Sequence, residues 1–164
     1  TKLFLKAHQL DNKKIVENIR KKFEKNSVKN ERLILEGKSL RKEFLKTYQK
    51  IDIALDPFPY TGGTTSFETI WMGVPLFTLK GKSFLSQCGA SINYNIGMKD
   101  WIAENKKEYV PKLIKLTSNV DQLAAVKSKL NKKVISSPLF DSVSFADDFD
   151  KTLWKMWNDF NKNK

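Results

Sequence analysis

The chain has 164 residues, 40% of them hydrophobic and 12% aromatic, with a formal net charge of +12. Such a length and composition suit one folded globular domain over residues 1–164 with a workable core. No apolar run is long enough to span a bilayer and no signal peptide is visible, so no membrane partner is expected. The lone Cys88 excludes an intramolecular disulfide and fits a cytoplasmic setting, and with His8 as the single histidine a Cys/His metal site is not expected.

The elements follow in chain order. Leu3–Leu5 reads as a short strand. Asp11 or Asn12 can cap a helix to about Lys25, with Ile15, Val16, Ile19 and Phe23 on one face. Leu33–Leu35 is a second strand, and Ser39 starts a helix bearing Leu40, Phe44, Leu45 and Tyr48. Ile51–Leu55 is nearly continuous in apolar residues, as in a parallel strand covered on both faces. A Gly/Thr turn, Gly62-Gly63-Thr64-Thr65, then opens a helix that Gly73 closes and Pro75 keeps from continuing. Strand Leu76–Thr78 follows. Beyond Leu79 the pattern is mostly helical. Ser83–Asn95 is a helix closed by Gly97, another starts near Glu108–Pro111, and Ser118 with Asp121 forms a capping box for a helix to about Val134. After Pro138, an apolar stripe at helical spacing runs through Phe145, Phe149, Leu153, Met156, Trp157 and Phe160, and the Asn161–Lys164 tail is expected to fray.

Strands alternating with helices predict a Rossmann-like α/β fold: a doubly wound parallel sheet followed by a helical C-terminal part. Ligands of such sheets bind at the carboxyl ends of strands, where the Glu36–Ser39 and Gly62–Thr65 turns both fall. Paired glycines let a backbone approach a ligand closely and take φ values closed to other residues. A helix start with two threonines offers hydroxyls and free N–H groups, and the helix dipole favours negative charge there.

The charge is uneven. Residues 1–50 hold 15 Lys/Arg against 6 Asp/Glu, a balance of +9, leaving +3 for the rest. A basic half can attract nucleic acid or phosphates. The lysines are scattered without aromatic interleaving, so solvated helix faces explain most of them and no nucleic-acid partner is expected. The charge still suits an anionic donor such as a nucleotide diphosphate.

The segment LDPFPYTGGTTSFETIWMGVPLFTL closely resembles the nucleotide-sugar-binding part of the O-linked N-acetylglucosamine transferase family, in particular its bacterial SPINDLY-like members. The likeness continues in register through Lys2–Lys6, Arg32–Gly37, Phe44–Tyr60, Gly89–Ser91, Asp100–Ala103, Tyr109–Val110, Ser137–Asp141 and Leu153–Trp157. It implies the C-terminal lobe of a GT-B type, two-Rossmann-lobe inverting glycosyltransferase. The donor would be a UDP-sugar, UDP-N-acetylglucosamine by the resemblance, and the acceptor a Ser/Thr hydroxyl of a protein. The first lobe and the family's helical repeats are expected upstream, since the chain opens on Thr1 directly before a strand.

The resemblance also assigns roles. Gly62, Gly63, Thr64 and Thr65 would receive the donor diphosphate; the family often carries His where Gly63 stands. Glu68, three residues after Thr65, would accept from the ribose hydroxyls, or else complement the helix N-terminus. The Ser39 backbone would pair with the uracil edge. Arg41 matches a basic position near the nucleotide, and as a bare residue reads equally as a solvated first-turn arginine. Phe44 matches a family His and could stack on the base, or pack in the core with Leu45 and Tyr48. No metal or cofactor is expected, and no catalytic residue in this chain: His8 is a poor base, and the family's base comes from the other lobe. Asp52 and Asp56 flank the strand as a carboxylate pair, but Asp56 precedes Pro57 and reads as shaping the turn. Gln87 stands where the family commonly has Arg. Trp154 and Trp157 read as core or interlobe packing. Readings from other classes are a non-catalytic nucleotide-sugar or protein-interaction module and a basic nucleic-acid-binding domain. The Gly-Gly-Thr-Thr turn with Glu three residues on argues against the last.

Overall fold

The computed structural model describes residues 1–162. Chain contacts divide it into two compact units, Thr1–Ile51 and Asp52–Lys164.

The first unit holds two parallel strands, β1 (Leu3–Lys6) and β2 (Leu33–Glu36), paired from Leu3↔Leu33 to Lys6↔Glu36. The crossover between them is helix α1 (Lys13–Glu24). Asn12 is its cap, accepting from the N–H groups of Lys14 at 2.9 Å and Ile15 at 3.4 Å. Helix α2 (Arg41–Thr47) begins two residues later than the sequence predicts. Leu40, not Ser39, is its N-cap, and no side chain caps it among the described residues.

The second unit holds a three-stranded parallel sheet in the order β3 (Ala54–Leu55), β4 (Leu76–Leu79), β5 (Ile102–Ala103). β4 is buried at all four positions, as its unbroken Leu-Phe-Thr-Leu run requires of a central strand covered on both faces. β3 corrects the sequence reading: only two of the five expected residues pair, and Leu55 is 46% exposed. Helix α3 (Thr64–Trp71) joins β3 to β4. It ends as the Gly73 signal predicts. Gly73 has φ +77, its N–H bonds the Ile70 carbonyl, and the Val74 N–H bonds that of Thr69. The same motif, with Gly97 at φ +69, closes helix α4 (Cys88–Asn95). α4 starts five residues after the expected Ser83. The hydroxyls of Ser83 and Ser86 bond each other and each other's backbone, which holds this stretch in a turn. Asn93, fully buried on α4, donates to the carbonyls of Leu76 and Trp101 and so ties the helix to the sheet.

Helix α5 (Lys106–Thr117) starts earlier than predicted because Asn105 caps it, accepting from Lys107 and Glu108. Helix α6 (Val120–Ile135) is capped by Asn119 through the Gln122 N–H, not by Ser118, whose hydroxyl donates back to Ile114 at the end of α5. Ile70, Phe77, Ile92, Trp101, Leu130 and Val134 centre one core from the sheet, α3, α4 and α6. Helix α7 (Ser142–Lys162) is the predicted C-terminal helix, but none of its residues is buried. Its stripe therefore lies outside the core: Phe145, Trp154 and Trp157 are 68%, 59% and 58% exposed. The helix includes Asn161 and Lys162; the remainder of the tail expected to fray lies outside the described residues. No helix among the described residues is long and apolar enough to cross a membrane.

Candidate functional site

The turn between β3 and α3 is organised by Asp56, the residue after β3. Its side chain is 2% exposed. One carboxylate oxygen accepts from the Gly62 N–H at 2.8 Å and from the Ser66 hydroxyl at 3.4 Å. The other accepts from the Thr78 hydroxyl of β4 at 2.8 Å. Burial pushes the Asp56 carboxyl above the ordinary aspartate range, and the Gly62 N–H and the two hydroxyls pull it part of the way back. The charge is felt nearby: burial first, then Asp56, raises the Tyr109 phenol. Asp56 thus shapes the turn, as its place before Pro57 suggests, and does so as a hub between the turn, α3 and the sheet.

The two glycines differ in what they require. A Cβ on Gly62 would stand 2.4 Å from Ser66 Oγ and 2.9 Å from Thr65 Oγ1, so a side chain there would have to displace these hydroxyls. A Cβ on Gly63 would meet nothing within 4 Å, and its φ is −102. Neither glycine has the positive φ that the sequence reading proposed for the pair. Gly89 on α4 lies against the other side of Asp56, where a Cβ would come within 2.0 Å of Oδ2.

Thr64 and Thr65 are the first two residues of α3, exposed, at a helix start that carries no side-chain cap. Glu68 is half-buried one turn on. Gly62, Gly63, Thr64, Thr65 and Glu68 are thereby gathered in the second unit. Backbone N–H groups, hydroxyls and the helix dipole there can hold an anion.

Ser39, Arg41 and Phe44 lie in the first unit. Ser39 sits in the turn after β2 with its Oγ buried, Arg41 is exposed at the start of α2, and Phe44 is half-buried, edge-on to Tyr48 at 5.6 Å. The turn before them has its own carboxylate. Asp11 accepts from the Lys38 N–H at 3.2 and 3.3 Å, and a Cβ on Gly37 would stand 1.8 Å from its Oδ1. Sequence reading treated Asp11 as a possible helix cap. What the two turns share is an aspartate that accepts a backbone N–H at or just after a glycine, Lys38 after Gly37 and Gly62 itself.

The other titratable residues act elsewhere. Asp52 is exposed and pairs with Lys127 at 3.2 Å, so it does not form an acid pair with Asp56. The His8 imidazole is 76% exposed, 3.5 Å from Asp11. Gln87 is exposed, its amide donating to the Lys82 carbonyl. Among the described residues no cluster of three His, Cys, Asp or Glu side chains could hold a metal ion.

The family model of glycosyl transferase family 41 matches residues 12–149. The probable UDP-N-acetylglucosamine–peptide N-acetylglucosaminyltransferase SPINDLY of Petunia hybrida is 35% identical over 118 residues, covering 72% of this chain and 13% of that protein. The UDP-N-acetylglucosamine–peptide N-acetylglucosaminyltransferase of Caenorhabditis elegans is 28% identical over 86% of this chain and 12% of its own length. A solved mutant of the Thermobaculum terrenum O-GlcNAc transferase superposes with a TM-score of 0.88 at 31% identity, over 96% of this chain and 30% of that one. The chain thus spans about an eighth of these curated relatives and under a third of the solved chain.

Proposed function

Because this chain belongs to glycosyl transferase family 41, we propose that it is the donor-binding lobe of a larger inverting transferase. The donor we assign is UDP-N-acetylglucosamine, and the acceptor a Ser/Thr hydroxyl of a protein. The names of the Petunia and Caenorhabditis relatives carry that donor and a peptide acceptor. The observation that carries the reading is the turn held by Asp56. It presents the start of α3, with Thr64 and Thr65, to an anion. The donor diphosphate would be received there and Glu68 would accept from the ribose. The uracil contacts are assigned to Ser39, Arg41 and Phe44 of the first unit.

As the sugar leaves UDP, negative charge grows on the diphosphate, and preorganised donors at a helix start stabilise it without a metal. Deprotonating an acceptor hydroxyl needs a base within hydrogen-bond reach. At the turn, the Asp56 carboxylate is engaged by the Gly62 N–H and two hydroxyls and Glu68 is assigned to the ribose, so the base is assigned to another part of the whole protein. The exposed stripe of α7 fits a chain that continues its packing against such a part.

Calorimetric titration of UDP into the wild-type protein and into Thr64→Ala/Thr65→Ala tests the site. The double variant should bind at least about tenfold more weakly, the loss of two hydrogen bonds to a charged group. Equal affinity would remove the site.

A further inference from the structure

Beside the turn lies an open cavity of about 440 Å³ that the donor contacts above do not use. Phe58, Pro59 and Leu79 form its apolar side, and Lys80, Lys82 and Lys106 stand around it. All six belong to the second unit and lie at or beyond the carboxyl ends of their strands, the usual ligand edge of a parallel sheet. We propose that this cavity is an acceptor subsite that seats an acidic peptide segment, its carboxylates on Lys82 and Lys106 and an apolar side chain against Phe58 and Leu79. The proposal rests on the transferase reading above and adds to it the class of acceptor.

Charge complementarity chooses the occupant. Lys80 is already paired with Glu104 at 3.1 Å. Lys82 and Lys106 are exposed and form no ion pair among the described residues, so both remain available to an incoming carboxylate. A free phosphate would satisfy the lysines and leave the apolar side wet, whereas a peptide covers both. The volume lies within the range of ordinary ligand pockets.

The walls are built before any ligand arrives. The Gly81 N–H bonds the Ser86 carbonyl at 3.0 Å, and the Ser83 and Ser86 hydroxyls lock the loop. The Phe58 ring rests on Tyr109 at 5.5 Å. A preformed wall lowers the ordering cost of binding. The Thr61 hydroxyl donates to the Leu85 carbonyl, which joins this loop to the residue immediately before Gly62. A peptide in the cavity is therefore held beside the donor turn.

The test uses the full-length protein and two peptides sharing one Ser/Thr acceptor, one flanked by Asp/Glu and the other by Asn/Gln. Wild type should show a higher kcat/KM for the acidic peptide, carried by KM. Lys82→Gln/Lys106→Gln should shrink that preference by roughly two- to thirtyfold, as expected for two exposed charge pairs. Lys82→Glu/Lys106→Glu should reverse it; both positions are exposed, and Glu at the first position of α5 suits that helix. Salt should erode the wild-type preference. Fluorescence anisotropy of the labelled acidic peptide reads docking without turnover. Absence of a wild-type preference, or one that persists in the double variants, overturns the subsite while leaving the transferase reading intact. Selective binding lost in the variants, with no transfer to either peptide, keeps the subsite and overturns the transferase reading.

Discussion

Replacing Asp56 by alanine strips the turn of the side chain that holds it. The Gly62 N–H and the Thr78 hydroxyl each lose an acceptor at 2.8 Å, and the Ser66 hydroxyl loses a longer bond at 3.4 Å. Thr78 is fully buried and Gly62 half-buried, so water reaches neither freely. Orphaning a buried donor costs about 1–3 kcal/mol. Removing a carboxyl that burial disfavours returns part of that. The net expectation is a loss of about 2–4 kcal/mol, a large share of a typical stability of about 5–15 kcal/mol. Asp56→Asn keeps an acceptor for Gly62 and should lose about 1 kcal/mol. The sign with pH follows from the raised folded-state value. As pH climbs past the ordinary aspartate value of 3.8, the unfolded chain loses its proton first while the native chain keeps its own. The native state then binds more protons, so the Asp56 contribution to stability falls with rising pH until the native carboxyl also ionises. Asp56→Asn lacks this fall, and the wild-type minus Asp56→Asn difference isolates it from the other carboxylates. Urea unfolding followed by circular dichroism, repeated across pH, measures both effects, and UDP calorimetry reports the turn. An unchanged urea midpoint and unchanged UDP affinity in Asp56→Ala would refute the hub.

Three further variants separate roles within the turn. Gly62→Ala should lose about 1–3 kcal/mol of stability and weaken UDP, because its methyl displaces the Ser66 hydroxyl from Asp56; Gly63→His should fold with little change, since its Cβ meets open space, and by the family likeness should tighten UDP, with calorimetry and urea melts reading both. Glu68→Ala should weaken UDP by about 1.5–3 kcal/mol while sparing pyrophosphate; if the two ligands weaken alike, Glu68 serves the helix rather than the ribose.

Local chemistry made much of this chain legible as bare sequence. Gly73 and Gly97 close helices because a left-handed residue satisfies the last carbonyls through bonds only a few residues long. The Leu-Phe-Thr-Leu run marks a strand covered on both faces because burial leaves no room for polar alternation. The Gly-Gly-Thr-Thr turn could be placed at the head of a helix because glycines, threonines and helix start lie within four residues. What the fold alone decided depends on partners far apart in the chain. Asp56 reaches residues 6, 10 and 22 positions away, and no window of sequence shows that a carboxylate and three donors will meet. The same contacts explain why a side chain at Gly62 would disturb the hub while one at its neighbour Gly63 would not. β5 has two residues, too few for any period to declare, and exists because β4 offers an edge. The α7 stripe shows the limit from the other side. Its helical period was plain, but a period records only which residues share a face, and whether that face is covered is set by what packs against it.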